Sequence, residues 1–358
     1  LETIFYIDNP ETFWLHWNNY ISQHLSSFRY LQTYVKYMKA YSKNLISDSS
    51  FVVLENEKVV GIAFLPIEEF KGVSSITLGG SYTVGPLALN EKIEKFIFLK
   101  IDEIAKNLSV AQVKFYSEPL VEVYSSQYNS LRKYGYIDTS TTDMILSLKA
   151  DEADMRTNRR RSYRSLINGI LNNKDKNYEL LFYDEKNADY SVNEEYRAMH
   201  IKAAGRETRS KDTFDLQFEL VKAGNGMITA LKREGNFIAF NYFLFHQKTA
   251  IYMSAADDPD YANSKTPFYH ATLWASIMRL KNMGFEYIQL SSPASSCKVE
   301  SFMDYNDDKQ INISFFKKGM GAQLVPFNRG IRYFDKNIFL KDLEQFKEQM
   351  LTNYFEYL

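Results

Sequence analysis

FVVLENEKVVGIAFLPIEE, residues 51–69, decides the fold class. Two apolar, β-branched runs flank Asn56-Glu57-Lys58, which predicts a tight β-hairpin. MITALKREGNFIAFNYFLF, residues 227–245, is built the same way and turns at Glu234-Gly235-Asn236. Each hairpin is followed by more strand and then by a helix with a similar ending, LRKYGYI at 131–137 and LKNMGFEYI at 280–288. Glycine suits those endings because a helix C-terminus favours a residue tolerant of positive φ. Strands that begin antiparallel and later alternate with helices predict an α+β domain with a mixed sheet. Two such runs predict duplication, with one domain over 1–150 and a second over 151–358. The length agrees, because 358 residues exceed one simple core.

The other elements follow from periodicity. Pro10 and Glu11 open a helical stretch over 10–45, in which Trp14, Trp17, Ile21 and Leu25 form an apolar stripe. That stripe reads as core packing rather than a ligand box. Helices are predicted over 91–107 and 121–133, and strands over 110–116 and 142–148, the last closing the first half. The second half opens with a basic helix over 155–172 and a strand over 178–182. Helices over 188–204 and 212–223, a strand over 249–255, a helix over 268–283 and a strand over 287–290 come next. Ile311–Phe316 is expected as the last core strand, and 337–355 as a terminal helix.

Composition narrows the function classes. A net charge of −1 provides no global field for nucleic acid, so DNA is not expected as a partner and any polyanion site is local. The 26 Tyr and 26 Phe suit a β-rich core and an aromatic-lined cleft. A single cysteine, Cys297, permits no internal disulfide and no cysteine metal site, and fits a reducing cytoplasmic setting. Five histidines and one cysteine lead us to expect no metal. No run of about 18 apolar residues predicts a transmembrane helix. The first residues lack a basic-then-apolar signal pattern. No P-loop, dinucleotide fingerprint, zincin helix or nucleophile elbow is found.

Four stretches carry candidate chemistry. In INISFFKKGMG, 311–321, alternation runs into two lysines and a glycine-flanked bend. Lys317 is therefore expected at a strand end where the sheet opens, with Lys318 pointing away as solvated surface. In MRTNRRRSYRSLINGI, 155–170, Arg156, Arg160 and Arg164 fall at i, i+4 and i+8, on one helical face. Arginine forks suit phosphate, whereas a solvated face paired with nearby acids is the structural alternative. In HIKAAGRETRSKDTFDLQF, 200–218, a helix bearing His200 ends at Gly205, leaving Arg206 and Arg209 on a loop suited to gripping a phosphate or carboxylate. The structural alternative there is an arginine satisfying a helix C-terminus. In IYMSAADDPDYANSKTPFYHATLW, 251–274, a strand meets an Asp257-Asp258-Pro259 turn, and His270 follows Pro267 near a helix start. Tyr252, Asp257 and His270 could accept a proton or bond an amine, or serve only as turn and helix-start residues.

The order of these pieces resembles the FemAB-like branch of the GCN5-related N-acyltransferase fold. The pieces are the R-R-x-x-R helix, H-x-x-A-A-G-R-x-T-R, IYMSAADD, P-x-x-H before a tryptophan-bearing helix, and Phe316-Lys317-Lys318-Gly319-Met320-Gly321. The last is similar to the family's F-K-x-x-F-G ending, with Met320 in place of the aromatic. The resemblance covers about 151–330, and the first half matches by architecture alone. It implies an enzyme, an acyl- or aminoacyltransferase forming an amide on a primary amine of a phosphate-linked cell-envelope precursor or amino sugar. It implies no tightly bound cofactor and an activated co-substrate, aminoacyl-tRNA or acyl-CoA.

By the same resemblance Lys317 stands near the reacting carbonyl and the donor phosphates, and Arg206 and Arg209 hold an acceptor diphosphate. Tyr252 then lines the acceptor channel. The acceptor would be a small or lipid-linked amine, the latter bringing peripheral membrane contact; tRNA is a further partner. The long helical hairpin of some tRNA-using members is missing, and so is the phosphate loop of ordinary acetyl-CoA enzymes. Two alternatives stand beside this reading: an acyl-CoA-dependent N-acyltransferase of nucleotide-sugar or glycan synthesis, and a non-catalytic binding protein on the same fold. No oligomeric state follows from the sequence.

Overall fold

The computed structural model describes residues 1–122, 128–172, 177–261, 268–291 and 293–355. The chain forms two compact units: Leu1–Thr142 with Ser295–Ile311 and Pro326–Leu358, and Asp143–Ala294 with Asn312–Val325. Both units are built of mixed sheets and helices, the α+β architecture expected.

In the first unit the hairpin pairs Phe51↔Ala63 through Glu55↔Lys58. Its turn residues Asn56 and Glu57 both have positive φ, 51° and 65°. Such a two-residue turn matches the right-handed twist of the strands it joins. The helix Glu91–Asn107 starts on Asn90, whose side chain accepts from the Ile93 N–H at 3.1 Å. Ile93, Ile97, Ile101 and Ile104 recur on one face and are buried against the sheets. Trp17 is fully buried and its Nε1 donates to the Tyr30 carbonyl at 2.6 Å, so the tryptophan stripe is core. Leu25 departs from that stripe and lies exposed.

The second unit centres on a sheet in the order 178–183, 226–233, 236–246, 249–257, 287–289, 141–147, 323–327. Its hairpin turns at Glu234 and Gly235, again both at positive φ. Helices Tyr190–Ala204, Lys211–Lys222 and Phe268–Asn282 lie where expected, and the first ends on Gly205 in the left-handed conformation. Pro267 and part of the 121–133 helix lie outside the described residues.

Four expectations are corrected. Ile311–Phe316 is not a strand: it lies in the helix Asp308–Lys318. Asp307 and Gln310 cap that helix reciprocally, each side chain accepting the other's backbone N–H, at 2.7 and 2.8 Å. This capping box fixes the helix against the local alternation of apolar residues. The basic helix is also broken, into Glu152–Asn158 and Arg161–Leu171. Arg159 and Arg160 are extended between the two, so Arg156, Arg160 and Arg164 share no face. The strand Thr141–Ser147 does not close the first half, because its pairs Ile145↔Gln289 and Leu146↔Ile288 lie in the second unit's sheet. Conversely, Arg329–Tyr333 pairs with Gln112–Tyr116 and the terminal helix Lys336–Phe355 packs on it, so both belong with the first unit. Long-range strand pairing, invisible to local periodicity, sets these boundaries in place of a single cut at 150.

Candidate functional site

The site begins with a parting of strands in the second unit. Thr249–Asp257 runs parallel to Tyr287–Gln289 for three pairs only, ending at Ile251↔Gln289. On its other edge the long strand stays antiparallel to Asn236–His246 out to Ala239↔Asp257. Met253 is an extra residue in that pairing, since Tyr242 faces Ser254 and Phe243 faces Tyr252. A bulge of this kind bends its strand and re-aims side chains. Ala250 and Ile251 are buried, whereas Tyr252–Ala255 and Asp257 are only half-buried although the strand is central. The sheet is open there.

Lys317 lies in the last turn of the helix Asp308–Lys318, on the same face as buried Ser314. Its Nζ donates to the Ser291 carbonyl at 3.0 Å, two residues beyond the last residue of Tyr287–Gln289. Only 6% of the residue is exposed, and burial pulls its ammonium pKa down to about 8 against the opposing pull of the Asp143 carboxylate. Asp143 is itself buried, accepts from the Met144 N–H at 2.6 Å, and is bonded by the Gln289 amide. Lys318 is exposed, as expected.

Asp257 is the strand's last residue. It and Asp258 separate chemically: Lys202 pairs Asp258 at 2.6 Å, while Oδ1 of Asp257 is buried with no hydrogen-bond partner. Burial pushes the Asp257 carboxyl up to about 7. Its charge is felt by the phenols of Tyr252 and Tyr269, each already raised by burial. On the same strand the Ser254 hydroxyl is bonded to that of Tyr196, to which Arg209 donates at 3.3 Å. Arg209 is buried with its guanidinium 4.0 Å from the Phe214 ring centroid. His200 packs edge-on to the same ring, and burial with the Arg209 charge lowers its pKa. Arg206 is exposed.

His270 stands in an aromatic box of Tyr163, Tyr269 and Phe316, with ring centroids 4.3, 4.5 and 5.0 Å away. Burial and then the Arg160 charge bring its pKa down to about 4, so the ring is neutral at pH 7. Arg160 sits over Tyr163, and Arg164 is exposed. The fold thus brings Asp257 to Tyr252, Arg209 to His200, and His270 to Arg160. It leaves Arg206 and Arg164 on open surface.

Asp143, Tyr196 and Tyr163 escaped the sequence reading. Asp143 carried a signal, an acid inside the strand-like run TTDMILSL, where acids are rare. Tyr196 carried none beyond its helical spacing.

The fold that carries this opening is shared with solved structures. A crystal structure of FemX superposes with a TM-score of 0.60 at 11% identity, over 92% of this chain and 97% of that one. The fold is the tandem GCN5-related acyltransferase fold. A tandem protein of this fold from the clavulanic acid biosynthesis pathway superposes at 0.52 and 11% identity, covering 93% and 98%. L-PGS from Bacillus licheniformis does so at 0.52 and 12%, covering 84% and 88%. No family model and no curated protein matches the sequence. Among the described residues, no helix of this tandem acyltransferase fold is long and apolar enough to cross a membrane.

Proposed function

We propose that the chain is an acyl- or aminoacyltransferase that forms an amide on a primary amine, with the reaction in the opening between Thr249–Asp257 and Tyr287–Gln289. The parting of these strands, in a fold shared with FemX and tandem acyltransferase-fold proteins, is the observation that supports it most. The amine nitrogen attacks the acyl carbonyl carbon, the donor's oxygen or sulfur leaves, and the amine gives up a proton.

Asp257 takes that proton. A base works best when its pKa lies near the working pH, and a carboxyl at about 7 meets that condition where His270, at about 4, does not. Lys317 supplies positive charge toward the oxyanion, an effect worth about 3 kcal/mol for one well-aimed donor. With a pKa of about 8 it is mostly protonated at neutral pH. His270, neutral and boxed by rings, shapes the cleft wall. Arg209 grips the phosphate of the acceptor, a phosphate-linked envelope precursor or amino sugar as the family resemblance implies, with Tyr252 along its channel.

The donor is aminoacyl-tRNA or an acyl-CoA, and the protein works at the cytoplasmic side without a bound cofactor. The test is amide formation by the purified chain with each donor class over a panel of amine acceptors, alongside Lys317→Met. Turnover lost in the variant supports the reading; equal turnover in both proteins removes Lys317 from it. Absence of turnover with every donor and acceptor would favour a binding protein.

A further inference from the structure

The turn joining Glu152–Asn158 to Arg161–Leu171 carries an electrostatic conflict. Arg159, Arg160, Arg161 and Arg164 crowd the N-terminal end of an 11-residue helix, the end that already bears positive partial charge. Its cap residue, Arg160, offers no side-chain acceptor, whereas the preceding helix is capped normally, Asp151 accepting from the Asp154 N–H at 2.9 Å. Among the described residues none of these four arginines is paired with a carboxylate; the nearby Arg156 is, with Glu152.

Arg159 sharpens the conflict. It is 5% exposed, and its guanidinium carbon lies 4.1 Å from the Trp274 ring centroid. Its Nε and Nη1 are buried without a hydrogen-bond partner. A ring face attracts the charge but cannot accept these in-plane N–H groups. Arg156 and Arg164 lie close enough to depress its pKa further, after burial itself, so like charge surrounds it. A buried cation with unfilled donors is costly unless an anion completes it. The turn is also held rigid. The Arg160 N–H donates to the Gly319 carbonyl at 2.8 Å, and the Tyr163 N–H to that of Arg160 at 3.0 Å.

We propose that this turn is a phosphate-binding site. Arg159 forms its fixed floor, the free N–H groups of the helix's first turn face the anion, and the exposed Arg164 closes the rim. Its ligand is a phosphate or diphosphate ester, distinct from the anion expected at Arg209. Arg160 belongs both to the turn and, through His270, to the cleft wall. That continuity assigns the site to the phosphates of the activated donor, and this assignment rests on the transferase reading; the binding of phosphate does not.

Calorimetric titration of the full chain with inorganic pyrophosphate tests it. Binding at millimolar concentration or better is expected, weakened about tenfold or more in Arg159→Met by loss of charge-assisted bonds. Arg164→Glu, at an exposed position, is expected to weaken it as well. No binding by the wild type, or unchanged binding in both arginine variants, overturns the site. Coenzyme A and the trinucleotide CCA then serve as competitors. Displacement of pyrophosphate by one of them supports the donor assignment and names its source; displacement by neither overturns that assignment, while turnover of Lys317→Met judges the transferase reading separately.

Discussion

Lys317 Nζ donates to the carbonyl oxygen of Ser291 at 3.0 Å, and Ser291 holds a left-handed φ of 61° to present it. A buried ammonium tied to a loop just past the parted strands is expensive for folding. Its pKa falls from 10.5 to about 8, so the native state gives up this proton before the unfolded state does. Between pH 8 and 10.5 the unfolded chain binds more protons, and stability rises with pH; below pH 8 the penalty is complete. Lys317→Met is expected to abolish that rise, worth about 3 kcal/mol, in urea unfolding measured from pH 7 to 10. Turnover should fall about 100-fold or more. An unchanged pH slope would show that Lys317 titrates normally.

Asp257→Asn tests the base. Turnover of the wild type should rise with pH through about 7 and fall again as Lys317 deprotonates above about 8, and the Asp257 variant should lose 10²–10⁴-fold with no inflection near 7. Stability moves the other way. The carboxyl is raised from 3.8 to about 7, so the native state holds the extra proton in that window and stability falls as pH rises through it. Above pH 7 the variant should therefore be the more stable protein. A wild-type profile flat from pH 6 to 8 would remove Asp257 from the proton transfer.

His270→Phe separates cleft shape from chemistry. The ring is neutral at pH 7, so the pH profile of turnover should keep its inflection near 7. The imidazole's pKa is depressed from 6.5 to about 4, which makes the wild type gain stability as pH rises across that interval. The variant should unfold less readily near pH 4. Loss of the turnover inflection would move the base to His270.

Arg206 and Arg209 lie three positions apart in the chain yet differ in setting. Arg209 is buried over Phe214 and bonded to Tyr196, and Arg206 is exposed. Arg209→Lys keeps the charge but loses the planar fork, so KM for a phosphate-bearing acceptor should rise about tenfold. Arg206→Ala should change it less than threefold, by about 0.5 kcal/mol. The reverse ranking, read from steady-state kinetics, would transfer the phosphate grip to Arg206.

Local pattern determined much of this protein. The two hairpins with their polar tips, the helix at 91–107, and the glycine endings at Gly205 and Gly284 all rest on side-chain period and φ preference, which neighbouring residues set among themselves. The tandem architecture was legible because both halves repeat that pattern, and Lys317 stands out as a candidate because the K-K-G-M-G bend is a local feature. Its secondary structure is not legible from the alternation over 311–316, which suits a strand, because the deciding cap lies upstream at Asp307 and Gln310.

Tertiary structure alone decided what the candidate residues meet. The exchange of Thr141–Ser147 and Arg329–Tyr333 depends on backbone pairing across more than 100 residues, and no local window records it. Asp257 and Asp258 are identical in sequence, yet Lys202 reaches only one of them, and burial without a partner raises the other. Desolvation belongs to an environment that the completed fold creates. For that reason the sequence could name Lys317, Asp257 and His270, and only the structure could set their protons apart.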